Sequence, residues 1–241
     1  MTTSIYAGLS GQIALERRMA TIANNVANAG TAGYRAEGVH FSTIVSRTAP
    51  FQTAFAKEGA AFADLRGGGL VRTGNPLDVA VQGEGFLSIQ TPAGLAYTRD
   101  GRMQVLPSGD VVSLNGHAIL DVSGSPLTLD PAAGPPEIAR DGTISQNGRV
   151  SGAIGLFHID LAKPYSRYEN AAFITRAPAE PIVDFGGDGV VQGFIEESNV
   201  NPVAEMTNLI RVSRAFEMVS SGLEQRDSAL RDAIQALGGR S

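Results

Sequence analysis

Cysteine is missing from the 241 residues, and with it go disulfides, thiolate metal ligands and a cysteine nucleophile. Tryptophan is missing too, and aromatic residues reach only 6%. A basic excess is also lacking. The 19 Lys and Arg are outnumbered by 24 Asp and Glu, a net charge of -5, which argues against a nucleic-acid backbone as partner. No apolar run approaches the ~18 residues that read as a membrane span, so direct membrane insertion is not expected. The opening residues Met1-Thr2-Thr3-Ser4-Ile5-Tyr6 lack the basic region and apolar core of a secretory signal. The expectation is a protein that stays in the cytoplasm or leaves it without a cleaved signal peptide.

What is plentiful is glycine, 29 residues, well above the average usage of ~7%. It is nearly missing from residues 12–29 and 194–237, which divides the chain into glycine-poor ends and a glycine-rich middle. At the N-terminal end Ile5, Leu15, Met19, Ile22 and Val26 recur at heptad spacing in register with Gly8 and Gln12, predicting a helix with one apolar face. Asn28 and Gly30 signal its end. At the other end Asn201 is a good N-cap and Pro202 a good first helical residue. Leu209, Val212, Phe216, Val219, Leu223, Leu230 and Leu237 then alternate at three and four up to Gly238-Gly239. Such a helix spans roughly 50 Å, too long to cover one small domain. Isolated helices are marginal in water, so the stripes predict partners: each other, as a coiled coil, and other copies of the chain. Asn24, Asn25 and Asn28 form a strip of amides beside the stripe, free either to bond a neighbouring helix or to be solvated.

The middle reads as β structure. Leu77–Val81 and Phe86–Ile89 read as strand, turn and strand around Gln82-Gly83-Glu84-Gly85, and Asp100-Gly101, Ser108-Gly109-Asp110, Asn115-Gly116, Asp141-Gly142 and Asn147-Gly148 continue the pattern at the short spacing of antiparallel hairpins. Residues 46–74, rich in Ala and Gly, have no sustained period and read as an extended or partly ordered linker.

Chemistry is not in evidence. Gly67-Gly68-Gly69 lacks the Lys-Ser/Thr ending of a phosphate loop. His40, His117 and His158 are far apart, with none at metal-ligand spacing. Asp100, Asp110, Asp121 and Asp141 adjoin Gly or Ser as turn residues do, which favours local hydrogen bonding over paired acids for glycoside cleavage. Glu196-Glu197 precedes a helix start, where the dipole favours carboxylates. No catalytic, cofactor-binding or metal-binding residue is assigned, no cofactor is expected, and neither a small-molecule substrate nor an enzyme activity is read.

Three blocks carry a resemblance. The first is Ala7-Gly8-Leu9 with Arg18–Asn28 and Thr31-Ala32-Gly33-Tyr34-Arg35. The second is Thr73–Asp78 with Gln82–Phe86 and Tyr97-Thr98-Arg99-Asp100-Gly101, and the third is Glu197-Ser198-Asn199-Val200-Asn201 followed by Phe216-Glu217-Met218. In this order they resemble the flagellar basal-body rod and hook proteins. Arg35, Leu87 and Pro202 depart slightly from that pattern. The length and Arg214–Met218 look like the proximal-rod subunit, with a distal-rod or hook subunit as the sibling alternative. The resemblance implies a structural subunit exported by the flagellar type III apparatus without cleavage. It would assemble in the periplasm with copies of itself and other rod proteins, and pass motor torque along the rod. From another class, the alternative is a surface β-domain enzyme or glycan-binding module with helical oligomerisation arms.

The expected fold is α+β. Residues 1–35 form an assembly helix and its end motif, 36–75 the linker, 76–193 an all-β domain, small barrel or sandwich-like, and 194–241 the second assembly helix. The expected assembly interface comprises the two apolar stripes and the three asparagines. Before assembly the terminal segments are expected to be largely unfolded, because a lone copy leaves the stripes unpartnered.

Overall fold

The computed structural model describes residues 2–46 and 53–238, with the side chains of 2–5, 46, 53 and 58 left undescribed. The chain separates into a helical unit, residues 1–27, 37–62 and 201–241, and a β unit, residues 28–36 and 63–200.

The helical unit contains α1 (Thr2–Ala27), the strands β1 (Glu37–Ser46) and β2 (Thr53–Ala63), which pair as a two-stranded sheet, and α2 (Pro202–Gly238). Helix α1 stops at Ala27, just before the Asn28 and Gly30 stop signals. Helix α2 starts as its sequence predicts: Asn201 Oδ1 accepts from Ala204 N at 3.1 Å, and Glu205 N donates to Asn201 O. The helices pack on each other. A Cβ at Gly8 would lie 2.7 Å from a Leu223 methyl carbon, and Gln12 Nε2 donates to Ser220 Oγ at 2.8 Å. As numbers rise along α1 they fall along α2, so the pair is antiparallel.

The β unit begins with β3 (Leu70–Arg72), β4 (Val79–Gln82), β5 (Phe86–Thr91), β6 (Gly94–Thr98), β7 (Met103–Val105), β8 (Val111–Ser113) and β9 (Ala118–Ile119). It continues with β10 (Glu137–Ile138), β11 (Thr143–Gln146), β12 (Arg149–Ala153), β13 (Leu156–His158), β14 (Tyr165–Tyr168) and β15 (Ala172–Thr175). It closes with β16 (Glu180–Pro181), β17 (Gly189–Gln192) and β18 (Phe194–Glu196). Its main sheet runs β14-β15-β6-β5-β9-β8-β7, with β13 and β16 attached through β5. Separate pairings are β10-β11-β12, β17-β4 and β18-β3. Alternation along the central strands gives the main sheet a core on each face. Leu87, Ile89, Ala96 and Ala172 join the larger apolar cluster, and their neighbours Phe86, Tyr97 and Phe173 join a second one.

Two expectations are corrected. Residues 36–75 are not a linker: β1 and β2 pair with each other, and β3 pairs with β18. Ala and Gly hide the alternation in β2, yet Gly38 makes room for the Phe62 ring, which stacks on His40 at 4.3 Å. The span 47–52 lies outside the described residues, as does Gly239 in the expected stop of α2. In addition, the flanks of Gln82–Gly85 do not form a hairpin. β4 pairs with β17, more than a hundred residues on, while β5 pairs with β6, β9 and β13. Nor does Asp100-Gly101 close a hairpin, since β6 and β7 on either side of it are not neighbours in the sheet, but the other turns do join paired strands: Ser108–Asp110, Asn115-Gly116, Asp141-Gly142 and Asn147-Gly148 link β7 to β8, β8 to β9, β10 to β11 and β11 to β12.

Leu87 is wholly buried at the centre of the main sheet. Leu87→Ala is expected to cost the β unit ~2–5 kcal/mol by leaving a cavity. In urea titration followed by near-UV circular dichroism, the midpoint falls while the slope is retained.

Candidate functional site

No residue pattern of the chain points to a reacting group, so the surfaces and joints that hold the chain together are where function resides. The turn aspartates confirm their local role. Asp141 Oδ1 accepts from Thr143 N at 2.9 Å, a bond that holds its carboxyl below the usual range, and Asp121 Oδ1 takes Ser123 N and Ser125 N at 2.8 Å each. Asp100 grips Arg102, and Asp110 accepts from Ser108 Oγ. Each carboxylate closes its own turn.

Along the helices, Ile22 and Val212 are buried, and Leu15, Met19, Val26, Leu209, Phe216, Val219, Leu223 and Leu230 are half-buried. Leu237 is 83% exposed, and the side chain of Ile5 lies outside the described residues. The heptad stripes are thus partly covered within one chain, by the packing of α1 on α2. A second set of apolar side chains, off the stripes, faces outward: Tyr6, Leu9 and Ile13 on α1, and Met206, Ile210 and Met218 on α2. Residues 2–15 carry no charge, although the outward face of that segment is exposed. An uncharged helical segment with Leu and Ile at its surface is the composition of an interface core. The spacing that picks out the stripes passes over these residues, because they lie off the stripe positions: Tyr6, Leu9 and Ile13 at three and four, Met206, Ile210 and Met218 at four and eight.

The asparagine strip divides in three. Asn25 is buried, its Nδ2 donating to Glu37 O at 2.9 Å and its Oδ1 accepting from Glu37 N at 2.8 Å, so its amide anchors the first residue of β1. Asn28 Oδ1 accepts from Thr31 Oγ1 in the turn that follows α1, and Asn24 is exposed.

A joint in the β unit was not foreseen. Glu196, on β18, is only 2% exposed and meets two equally buried arginines, Arg35 at 1% and Arg99 at 3%. Its Oε1 accepts from Arg35 Nη2 at 2.7 Å and from Gly68 N at 2.9 Å, and Arg99 Nη1 lies 3.4 Å from Oε2. Arg99 also donates to Val81 O at 3.2 Å and Gly83 O at 2.6 Å, and its guanidinium lies over the Phe86 ring. Burial pushes Arg99 down to about 10, with Glu196 opposing that fall, so it stays charged at neutral pH. Arg167 caps the cluster: it donates to Arg35 O and lies over the rings of Tyr34 and Phe173 at 4.6 and 4.9 Å. The backbone is drawn in as closely. Gly33, at φ 68°, donates N–H to Glu196 O at 2.8 Å, and a Cβ there would lie 2.4 Å from Asp100 N.

Three residues further on, Asn199 forms a second clamp. Its Oδ1 accepts from Ala36 N at 2.7 Å, its Nδ2 donates to Asp64 O and Arg66 O at 2.8 Å each, and its own N–H reaches Tyr34 O at 3.3 Å. Glu196 is therefore not a helix-dipole carboxylate but a buried ion-pair partner on a strand. The usable signal was that Tyr34-Arg35, Arg99-Asp100 and Asn199 sit in the three resembling blocks, which these bonds bring together.

Glu196→Gln keeps the shape but leaves two guanidinium charges buried against a neutral amide. It is expected to cost ~3–5 kcal/mol, read as a lowered midpoint in chemical unfolding of the purified protein. An unchanged midpoint would show the cluster to be energetically idle.

Comparison with known proteins places this architecture. Residues 5–35 match the family described as Flagella basal body rod protein, residues 80–152 the Flagellar hook protein FlgE/F/G D1 domain, and residues 191–236 the Flagellar basal body rod FlgEFG protein C-terminal. The chain is 46% identical over 241 residues to the flagellar basal-body rod protein FlgF of Mesorhizobium japonicum, covering 100% of both chains. It is 41% identical over 239 residues to FlgF of Rhizobium meliloti, covering 99% of both, and 33% identical over 248 aligned positions to FlgF of Caulobacter vibrioides, again covering 99% of both.

Proposed function

From the premise that the chain belongs to the flagellar basal-body rod and hook protein family, we propose that it works as a non-enzymatic subunit of the proximal rod. In this reading it polymerises through its terminal helices to carry motor torque. The observation that carries the reading is the contrast between the two units. The β unit closes a core on both faces of its main sheet, whereas the helices leave Tyr6, Leu9, Ile13, Met206, Ile210 and Met218 exposed after packing on each other. An apolar side chain moved from water to a buried site gains ~1.5–3 kcal/mol, so the outward faces supply a driving force that only other subunits satisfy.

The partners are copies of this chain and the other rod components, met end to end and side to side. Helices buried against several neighbours resist bending and sliding better than isolated surface patches, because packed interiors have low compressibility. Within this reading the α1–α2 pair acts as a coiled coil, and the stripes and the outward faces together make up the assembly interface. The subunit reaches the periplasm through the flagellar type III export apparatus, entering it as an unfolded chain and folding its β unit on arrival. The charge-free Thr2–Leu15 stretch of α1 suits burial in the wall of a tube.

The reading is tested in a strain lacking the chromosomal copy. Deleting residues 203–241 is expected to abolish rods in electron micrographs of basal bodies, and Ile13→Glu to reduce them severely while leaving the β-unit melting curve unchanged. Rods formed by the deletion would refute the reading. In hydrogen exchange on the monomer, the α1 and α2 amides are expected to exchange far faster than those of β5 and β6.

A further inference from the structure

The chain passes between its two units four times, at 27/28, 36/37, 62/63 and 200/201. One side chain, Asn199, binds the β-unit side of two of these passages from a position beside a third. It accepts from Ala36 N beside the second, donates to Asp64 O and Arg66 O beyond the third, and itself lies two residues before the fourth. Its main-chain N–H to Tyr34 O, with Gly33 N to Glu196 O and the Arg35–Glu196 ion pair, ties the segment that follows the first passage to the segment that precedes the last.

We infer that Asn199 is a mechanical positioning residue: the clamp through which load entering the chain from its terminal helices is spread over the β unit. The inference rests on the rod-subunit reading for its purpose, though not for its test. Load arriving along either helix reaches the β unit through residues 28–36 or 196–200. Without a cross-tie, that load would peel one backbone hydrogen bond at a time from the end of a strand. An amide that makes three bonds to three separate backbone positions forces those bonds to break together, and bonds loaded in parallel fail far more slowly than the same bonds loaded in series. Asparagine suits the position because it offers one acceptor and two donors on a short, stiff stem. Glu196 supports the geometry from the next turn of chain by fixing Arg35 and Gly68 N. A purely stabilising residue would strengthen the β unit against every direction of pull, whereas a clamp protects it only against pulls that enter through the helices.

The absence of cysteine makes the test direct, because introduced thiols are the sole attachment points for handles. Full-length protein carrying Ala20→Cys and Thr207→Cys is pulled in an optical trap from its two helices, and a second version carrying Val150→Cys and Val183→Cys is pulled within the β unit. In the helix-pulled geometry, Asn199→Ala is expected to speed opening of the β unit roughly a hundredfold at a given load, since three hydrogen bonds are lost. Asn199→Asp, which keeps the acceptor but sets a carboxylate oxygen against the Asp64 and Arg66 carbonyls, is expected to speed opening at least as much. In the second geometry neither variant changes the opening rate. Equal rates for wild type and Asn199→Ala in the helix-pulled geometry overturn the inference, as does an equal acceleration in both geometries. Because the measurement is made on single chains, a failure of rod assembly in cells and a failure of the clamp are separate results.

Discussion

A carboxylate buried between two arginines is expensive to build, and the rest of the joint is arranged around keeping it satisfied. Glu196 is charged, nearly inaccessible, and outnumbered by the guanidinium groups of Arg35 and Arg99. An apolar trio of similar volume would hold such a site at least as well, so stability alone does not account for it. What the charges add is selectivity: the observed arrangement of the segments around residues 35, 68, 99 and 196 places donors on both carboxylate oxygens. A register slip in β18 would turn Glu196 toward the opposite face and leave two charges without their partner. The ion cluster thus fixes the pairing of β18 with β3, the strand pair from which the chain proceeds to α2.

The same economy explains the glycine distribution. The helices hold few glycines, and at one of them the partner needs the space: Leu223 packs over Gly8. The β unit needs tight turns and close backbone approaches, and Gly33 provides both, its left-handed conformation letting the chain pass within contact distance of Asp100. The composition of the two regions follows from what each must bury. Strands between short turns finish a core by themselves, while long helices with two apolar faces do not.

How much of this was legible in the sequence follows the range of the interactions. Helix limits were readable because caps and stop residues act within a few positions: Asn201-Pro202 and Asn28-Gly30 mark them correctly. Four of the hairpin turns, from Ser108–Asp110 onward, were readable for the same reason. Pairing across long separations was not, so β4 seemed to belong with β5 when its partner is β17. In β2 Ala and Gly dilute the period, and its contact with β1 is long in range, Phe62 stacking on His40 twenty-two residues away. Glu196 was misread for the most instructive reason. Judged by its neighbours it is a carboxylate shortly before a helix, and its true partners lie 161 and 97 residues away. Likewise Arg99-Asp100-Gly101 and Arg140-Asp141-Gly142 look alike, yet Arg99 is buried in the ion cluster while Arg140 is exposed.

The division of the chain also bears on the order in which the parts become rigid. Residues 28–36 and 196–200, the roots of α1 and α2, belong to the β unit and not to the helical one. They are held by the ion cluster and by Asn199, both of which depend only on groups inside the β unit. Folding of the β unit therefore fixes where each helix begins before any neighbouring subunit is present. On the rod-subunit reading, what is left to order on assembly is then the helical unit, its two helices each anchored at one end, and anchoring lowers that loss relative to a free segment. Were the roots part of the helical unit, they would become ordered only on contact with neighbours, and the growing structure would have to position the β unit as well as the helices. Placing the charged joint on the side that completes its own core removes that second task.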